Sequence, residues 1–487
     1  MTVEELVELV HTVQSYKAEM QHVEVKAAHQ GSPKRLFDTL SGFANQRGGG
    51  ILLFGLEEEA GFRVVGVYDP QDLQTKVNEQ CKQMSPVLRP LFTMATVDGA
   101  VVVSAEIPEV EVVDRPCFYQ GAGRLRGAYV RVGSSDEPMT EYEVYAYESY
   151  RLKRQDEVRP VERAKVSDLD PDALEEYLIR LRSGKPNLAR MGREALLELM
   201  RITIEGVPTL AAVLLFSPYP QAFFPQFTIT AVVVPGTEIG EVDGDGARFV
   251  DNRRLDGPLP QMLEEADSFV LRNMTVRTLI DGNGRRTDVP EYPHKAVREA
   301  ILNALVHRDY GVHAEGTPVR ILFFRDRLEI RSPGGLYGKM TLEQLGRTHA
   351  DSRNPLLANM LETLKLVENR YSGIPTLRRE MKEAGLPAPV FLEERGSFCV
   401  ILYNRSALQS KPGTEELLDF CRMPRTREEI ADHLGLKSPY YVVRTVLRPL
   451  VDMGRLHMTL PDKPGSRNQR FVSVKNAHKE QRSGQSP

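Results

Sequence analysis

The chain of 487 residues is too long for one ordinary hydrophobic core, and about three domains are expected. With 41% hydrophobic and 27% charged residues it reads as globular, which excludes a disordered or fibrous chain. Its net charge of −4 excludes a uniformly basic binder, so any nucleic-acid surface must be local. Cys81, Cys117, Cys399 and Cys421 stand far apart with no C-x-x-C pair, which argues against a zinc site and a disulfide framework and fits a reducing cytosol. The start, MTVEELVELV, has acidic residues and no basic n-region, so no signal peptide is expected. No run approaches the about 20 apolar residues that cross a membrane, and a cytoplasmic location is expected.

In chain order, Val23 to Ala27 reads as a strand and Pro33 to Asn45 as a helix, with Leu36, Phe37, Leu40 and Phe43 at helical spacing. Gly48 to Gly50 break into ILLFGL, a buried strand, and FRVVGV, AVVVSAEI and AYVRVG read as further strands. The stretch RLKRQDEVRPVERAKVSDLD is charged and aperiodic, so a linker is expected over 151–170. A second α/β region spans 171–410, with helices Leu174–Arg182 and Arg193–Leu199. It also holds the strand pair AAVLLFS and TITAVVV, a helix from His294 to Tyr310 and the strand VRILFFRDRLEI. Residues 411–475 read as a compact third domain, and 476–487 as a disordered basic tail. No internal repeat is found.

The helix from His294 carries the most chemistry. Glu299 and Asn303, four apart, share one face, while Ala296, Val297, Ala300, Ile301, Ala304 and Leu305 form an apolar stripe. A carboxylate and a carboxamide projecting together suit a divalent cation and its waters. His307 follows at the helix end, where interaction with the dipole is the expected role. The string REAILNALVHRDY followed by DRLEIRSPGGL resembles the GHKL ATPase superfamily, whose N-box helix carries Glu-x-x-x-Asn. It is closest in wording to a divergent branch found in bacterial proteins that begin with a Schlafen AlbA-like domain. The resemblance implies ATP and Mg²⁺ (or Mn²⁺), with Glu299 activating water and Asn303 holding the metal. Gly334 and Gly335, in a proline-glycine turn, would offer backbone N–H groups to a phosphate. Ser332 stands where standard members have the aspartate that binds the adenine amino group. Arg353-Asn354-Pro355 and NRYSGIP, with Gly373, match later family elements. Proteins of this architecture are often labelled helicase-like, yet GGLYGK lacks the Walker spacing and Met340 replaces its Ser/Thr, so no P-loop motor is expected.

In the N-terminal region, EMQHVEVKAA, SGFANQRGGGILLFGLEEE and RGAYVRVGSS resemble the Schlafen AlbA-like domain. That family is described as nucleic-acid binding, and some members cut RNA with clustered carboxylates. Glu19 and Glu24 match its paired glutamates and would be catalytic, metal-holding residues; one of Glu57, Glu58 and Glu59 stands where members often have aspartate. From the residues alone, Lys26 shares a strand face with Glu24 and either contacts phosphate or neutralises that carboxylate. Arg124, Arg126 and Arg131 gather around Tyr129, as a phosphate-contacting and stacking surface or a solvated basic edge. Asn45 and Gly48 to Gly50 read as structural.

From Thr414 the chain reads helix (EELLDFCRM), helix (TREEIADHL), helix (Ser438 to Met453) and two short strands, an order that resembles a winged helix-turn-helix. Ser438 and Pro439 suit an N-cap and N1. Tyr440, Tyr441, Arg444 and Arg448 would face a major groove, the alternative being protein contact. From Lys463 onward six Lys or Arg meet one acid, Glu480.

The expected fold class is therefore α/β and α+β multidomain: an AlbA-like α/β domain over 1–150, a GHKL-like α/β sandwich over 171–410 and a winged helix over 411–475. The expected function is a cytoplasmic, ATP-binding, DNA-binding transcriptional regulator, with RNA as another possible nucleic-acid partner and homo-oligomerisation left open. The rivals are a metal-dependent nuclease of RNA or DNA, with defence as one role for it, and a non-catalytic nucleotide-sensing scaffold. Enzyme activity, if present, would be a weak ATPase or that nuclease.

Overall fold

The computed structural model describes residues 1–280, 284, 286–348, 351–366, 373–394, 396–407, 414–434, 442–452, 455–459 and 469–473. It divides into two compact units, Met1–Arg154 and Gln155–Pro487.

The first unit opens with α1 (Val3–Tyr16), started by a reciprocal cap between Thr2 and Glu5 that satisfies otherwise orphaned N–H groups. Leu6, Val10 and Val13 bury one side of it. β1 (Val23–Lys26), α2 (Phe37–Asn45), β2 (Gly50–Phe54), α3 (Pro70–Lys82), β3 (Leu91–Val97) and β4 (Ala100–Ile107) follow. They form a four-stranded sheet in the order β1-β2-β4-β3, parallel only between β1 and β2. Of FRVVGV only Arg63–Val64 is strand, paired with Leu56–Glu57, because the sharp turn at Gly66 (φ +77°) takes the chain away from the ladder. A hairpin of β5 (Tyr129–Val132) and β6 (Ser135–Pro138) packs against α2 and precedes α4 (Glu141–Arg151). Asn45 locks these parts: its Nδ2 donates to Cys117 O (2.8 Å) and Tyr129 O (3.1 Å), and its Oδ1 accepts from Cys117 N (2.7 Å). Gly49, at φ +66°, lies where a Cβ would collide with the Ile107 carbonyl.

Residues 155–170, within the stretch expected to be a linker, instead join the second unit's core. Val161, Ala164 and Leu169 are buried there, and two short 3₁₀ turns supply local hydrogen bonds. α5 (Pro171–Gly184) and α6 (Arg193–Leu199) come next. AAVLLFS is a correction: Leu210–Phe216 is a helix, α7, buried all round and capped by Thr209. A short apolar run without polar alternation cannot separate a buried strand from a buried helix.

The remaining elements are β7 (Ile229–Val233), β8 (Asp251–Leu255), α8 (Leu259–Asn273), β9 (Val276–Ile280), β10 (Arg286–Pro290), α9 (His294–Val306), β11 (Val319–Phe323) and β12 (Arg327–Pro333). Then come α10 (Pro355–Thr363), α11 (Gly373–Glu383), β13 (Val390–Glu394) and β14 (Ser397–Tyr403). VRILFFRDRLEI is thus a hairpin of two strands, turned at Arg325 and Asp326. A mixed sheet runs in the order β8-β7-β11-β12-β14-β13, with β7 and β11 parallel and its other pairs antiparallel. α9 lies beside α8, α11 and β12, and its expected apolar stripe is buried in the core they share. Burying that stripe leaves Glu299 and Asn303 on the opposite, partly open side.

The C-terminal elements are α12 (Thr414–Phe420), β15 (Arg425–Thr426), α13 (Arg427–His433), a π-helical stretch Val443–Leu447 running into helix Arg448–Asp452, β16 (Leu456–Met458) and β17 (Arg470–Ser473). The strands order as β15-β17-β16 around a small core that includes Leu417, Ile430, Leu447 and Phe471. Among the described residues no helix is long and apolar enough to cross a membrane.

Candidate functional site

The second unit contains a cavity of about 460 Å³. Its walls are the open side of α9, the end of β12, the segment leading to α10, and the start of α11. Glu299, Asn303, Ser332, Gly334, Gly335 and Gly373, all named from sequence, line this one space. Asn303 Nδ2 donates to Glu299 Oε1 (2.9 Å) and to the Glu299 carbonyl (2.8 Å), so the carboxamide nitrogen is taken up by Glu299 and its oxygen remains the acceptor atom. Gly373 packs so closely that a Cβ there would collide with Glu299 Oε1. Gly334 has φ +103°, and a Cβ would come 3.0 Å from that of Asp309. At Gly335 a Cβ would collide with Glu393 Oε1, the atom that accepts from Leu336 N at 2.8 Å. Burial raises the Glu393 pKa despite that bond.

The HRDY string after α9 divides its work. The His307 ring borders the cavity, and burial, then the nearby Arg353 charge, pushes its pKa down to about 4. His307 stands at the C-cap of α9, and with a pKa of about 4 its ring is neutral near pH 7. Arg308 is buried between the rings of Phe227 (4.2 Å) and Tyr310 (5.1 Å) and donates to Thr317 O at 2.6 Å. The Asp309 carboxylate accepts from Arg353 Nη1 (2.6 Å) and Gly311 N (2.7 Å). Arg353 also donates to Gly335 O (3.1 Å) and lies 5.0 Å from the Tyr337 ring centroid. Asn354 donates to the carbonyls of Val306 (2.8 Å) and Arg308 (2.7 Å), closing the end of α9. Asp309 and Arg353 were quoted in the sequence without a role, because nothing local reveals a partner 44 positions away.

In the first unit, Glu19 and Glu24 converge on Arg131. Arg131 donates to Glu24 Oε2 (2.7 Å) and Asp136 Oδ1 (3.0 Å), and Glu19 Oε2 is 3.9 Å away. Glu24 also accepts from Lys26 Nζ at 2.6 Å, and Glu19 from Val25 N at 2.8 Å. Burial, with help from the Glu24 and Glu58 charges, pushes Glu19 up to about 7 against the Val25 N–H bond. Burial acts upward on Glu24 too, but Lys26 and then Arg131 outweigh it and hold its pKa below the usual value.

Arg131, expected at a nucleic-acid surface, is instead buried and held by carboxylates. Strand alternation sends it to the inner face while the next residue, Val132, is exposed. Arg124 pairs with Glu148 beside the Phe118 ring, and Arg126 is exposed. Glu57 pairs with Arg63 at 3.1 Å. Asp136 escaped the sequence reading, although the R-V-G-S-S-D turn is the signal that could have paired it with Arg131. Among the described residues no group of three or more His, Cys, Asp or Glu is disposed to hold a metal. In the C-terminal region Tyr440 and Tyr441 lie outside the described residues, as do Ser438 and Pro439; Arg444 belongs to the π-helical stretch and Arg448 begins the helix after it.

Two family models match this chain. One, described as Schlafen, AlbA_2, covers residues 19–140, and the carboxylate cluster lies inside it. The other, described as the C-terminal part of a putative ATP-dependent DNA helicase recG, covers residues 316–402, which includes Ser332, Gly334, Gly335, Arg353 and Gly373. The chain thus carries a Schlafen AlbA_2 domain and a recG-C-terminal-type domain. The DIP2311 protein from Corynebacterium diphtheriae is similar at 20% identity over 97% of both chains, with a TM-score of 0.40. The N-terminal domain of a putative ATP-dependent DNA helicase RecG-related protein from Nitrosomonas europaea is 29% identical, with a TM-score of 0.23. It covers 29% of this chain and 94% of that one. No curated protein matches.

Proposed function

We propose that this protein is a cytoplasmic nucleic-acid-binding regulator whose second unit binds ATP with Mg²⁺ in a divergent GHKL-type site. The observation that carries the reading is the convergence of Glu299, Asn303, the Gly334-Gly335 turn and Gly373 on one cavity. Its volume falls within the usual range for ligand sites. The donor set fits the ion: a carboxylate and a carboxamide oxygen are hard ligands, and Mg²⁺ keeps several waters while bridging to phosphates. Asn303 would hold the metal, Glu299 would orient water, and the glycines would let backbone N–H groups approach phosphate. The helicase label belongs to the matched family model; the Gly334–Lys339 run has no Walker spacing.

The AlbA_2 domain and a C-terminal winged helix would supply the nucleic-acid contacts, DNA for the latter. The helix-strand-helix-helix-hairpin order supports that last assignment. Calorimetric titration of the full chain with ATP, with and without Mg²⁺, tests the central reading. Magnesium-dependent binding that Asn303→Ala removes is expected, and no ATP affinity in the unmodified chain would reject it.

One observation favours a second reading, a divalent-metal-dependent nuclease. Glu19, raised to a pKa of about 7, and Glu24, held below the usual carboxylate value, sit side by side at Arg131 with their titrations pushed apart, as an acid-base pair would be. Arg131 and Lys26 already neutralise Glu24, which ranks the regulator first.

A further inference from the structure

Among the described residues that line the cavity, Arg353 is the only lysine or arginine, while Glu299 and Asp351 contribute carboxylates. Arg353 is 8% exposed, and its Nε is buried with no hydrogen-bond partner among the described residues. A buried guanidinium N–H without an acceptor is costly and calls for an explanation, a bound water or ion among them. Nη1 donates to Asp309 and Nη2 to the Gly335 carbonyl, and each of these nitrogens carries a second N–H. These contacts fix the fork beside the glycine turn, so a ligand oxygen entering the cavity would meet a pre-oriented donor.

We propose that Arg353 is the anion-recognising group of this cavity, reading the phosphate chain of a nucleoside polyphosphate, and that Asp309 holds it in position while moderating its charge. The inference rests on the nucleotide reading above and adds which end of the ligand is recognised. A planar guanidinium suits this task, because its N–H groups match the spacing of phosphate oxygens. Asp309, 1% exposed and behind Arg353, competes with the ligand for the same positive charge. The moderated charge makes binding depend on Mg²⁺ at Asn303 as well as on the arginine, since two lining carboxylates oppose a polyanion.

The test is to titrate the full chain with Mg²⁺-ATP, tripolyphosphate and adenosine in three forms: unmodified, Arg353→Gln and Asp309→Asn. Arg353→Gln should weaken ATP and tripolyphosphate about tenfold or more and leave adenosine unchanged, as loss of a charge-assisted hydrogen bond requires. Asp309→Asn loses the same ion pair but keeps the guanidinium, so it should tighten both anions by roughly threefold or more. A purely structural ion pair predicts weaker binding in both variants, and that result would overturn the proposal. Equal losses for adenosine and ATP in Arg353→Gln would also overturn it, because the arginine would then serve the nucleoside. If the unmodified chain binds tripolyphosphate through Arg353 but not ATP, the anion site stands and the nucleotide reading fails. Binding of none of the three probes would end both.

Discussion

Glu157 offers a quantitative check on how the cavity wall is held. Its buried carboxylate accepts the N–H groups of Leu356 (2.8 Å) and Leu357 (3.0 Å) in the first turn of α10, directly after Arg353 and Asn354. Burial, with a contribution from the Asp156 charge, outweighs those two bonds and raises its pKa from 4.5 to about 7. The folded-state value lies above the unfolded one, so the contribution to stability is complete below about pH 4.5. It is lost as pH rises through 7. A shift of that size corresponds to roughly 3 kcal/mol in full, of which about 2 to 3 kcal/mol falls between pH 5 and pH 8. Glu157→Gln removes the titration but keeps one acceptor; the cost of the lost acceptor is the same at both pH values and cancels. The melting temperature of the Glu157→Gln protein should therefore gain on the unmodified chain by roughly 5 °C or more between pH 5 and pH 8, measured by calorimetry on the transition of the second unit. A difference that stays constant within about 1 °C would refute the assignment of a strained buried carboxylate at this helix start.

Three further outcomes are expected. Asn303→Ala should abolish the magnesium-dependent part of ATP binding while leaving the fold intact by circular dichroism, since its side chain is half-buried and faces the cavity. Removing residues 412–487, or combining Tyr441→Ala with Arg444→Ala, should weaken DNA binding by about 1–3 kcal/mol per lost contact and reduce its salt dependence, read by fluorescence anisotropy. Unchanged affinity would assign the winged helix to protein contact. Mn²⁺ should leave the melting temperature of the first unit unchanged, because Lys26 and Arg131 already occupy Glu24. A Mn²⁺-induced rise that disappears in Glu24→Gln, together with strand cleavage, would promote the nuclease reading above the regulator.

Residues 294–306 were legible from sequence because their apolar stripe has a helical period and its polar complement is short and specific. The same logic failed at AAVLLFS, where every side chain is buried and no period remains. It failed again at 155–170, where a few buried anchors, Val161, Ala164 and Leu169, sit among many charges. Within the site, Glu299, Asn303 and the glycines could be named because motif spacing is local. Arg353 with Asp309, and Arg131 with Asp136 and Glu24, could not be paired, since their partners meet only through tertiary packing. Arginines near an aromatic read as a binding surface until packing shows that Arg131 points inward.

The most direct test of the central claim is a crystal structure of the full chain grown with saturating Mg²⁺ and a non-hydrolysable ATP analogue. The account predicts the analogue in the cavity between α9 and the Gly334-Gly335 turn, with the metal on Asn303 and a phosphate oxygen on Arg353. An analogue bound elsewhere, or this cavity filled by its own side chains under those conditions, would contradict it.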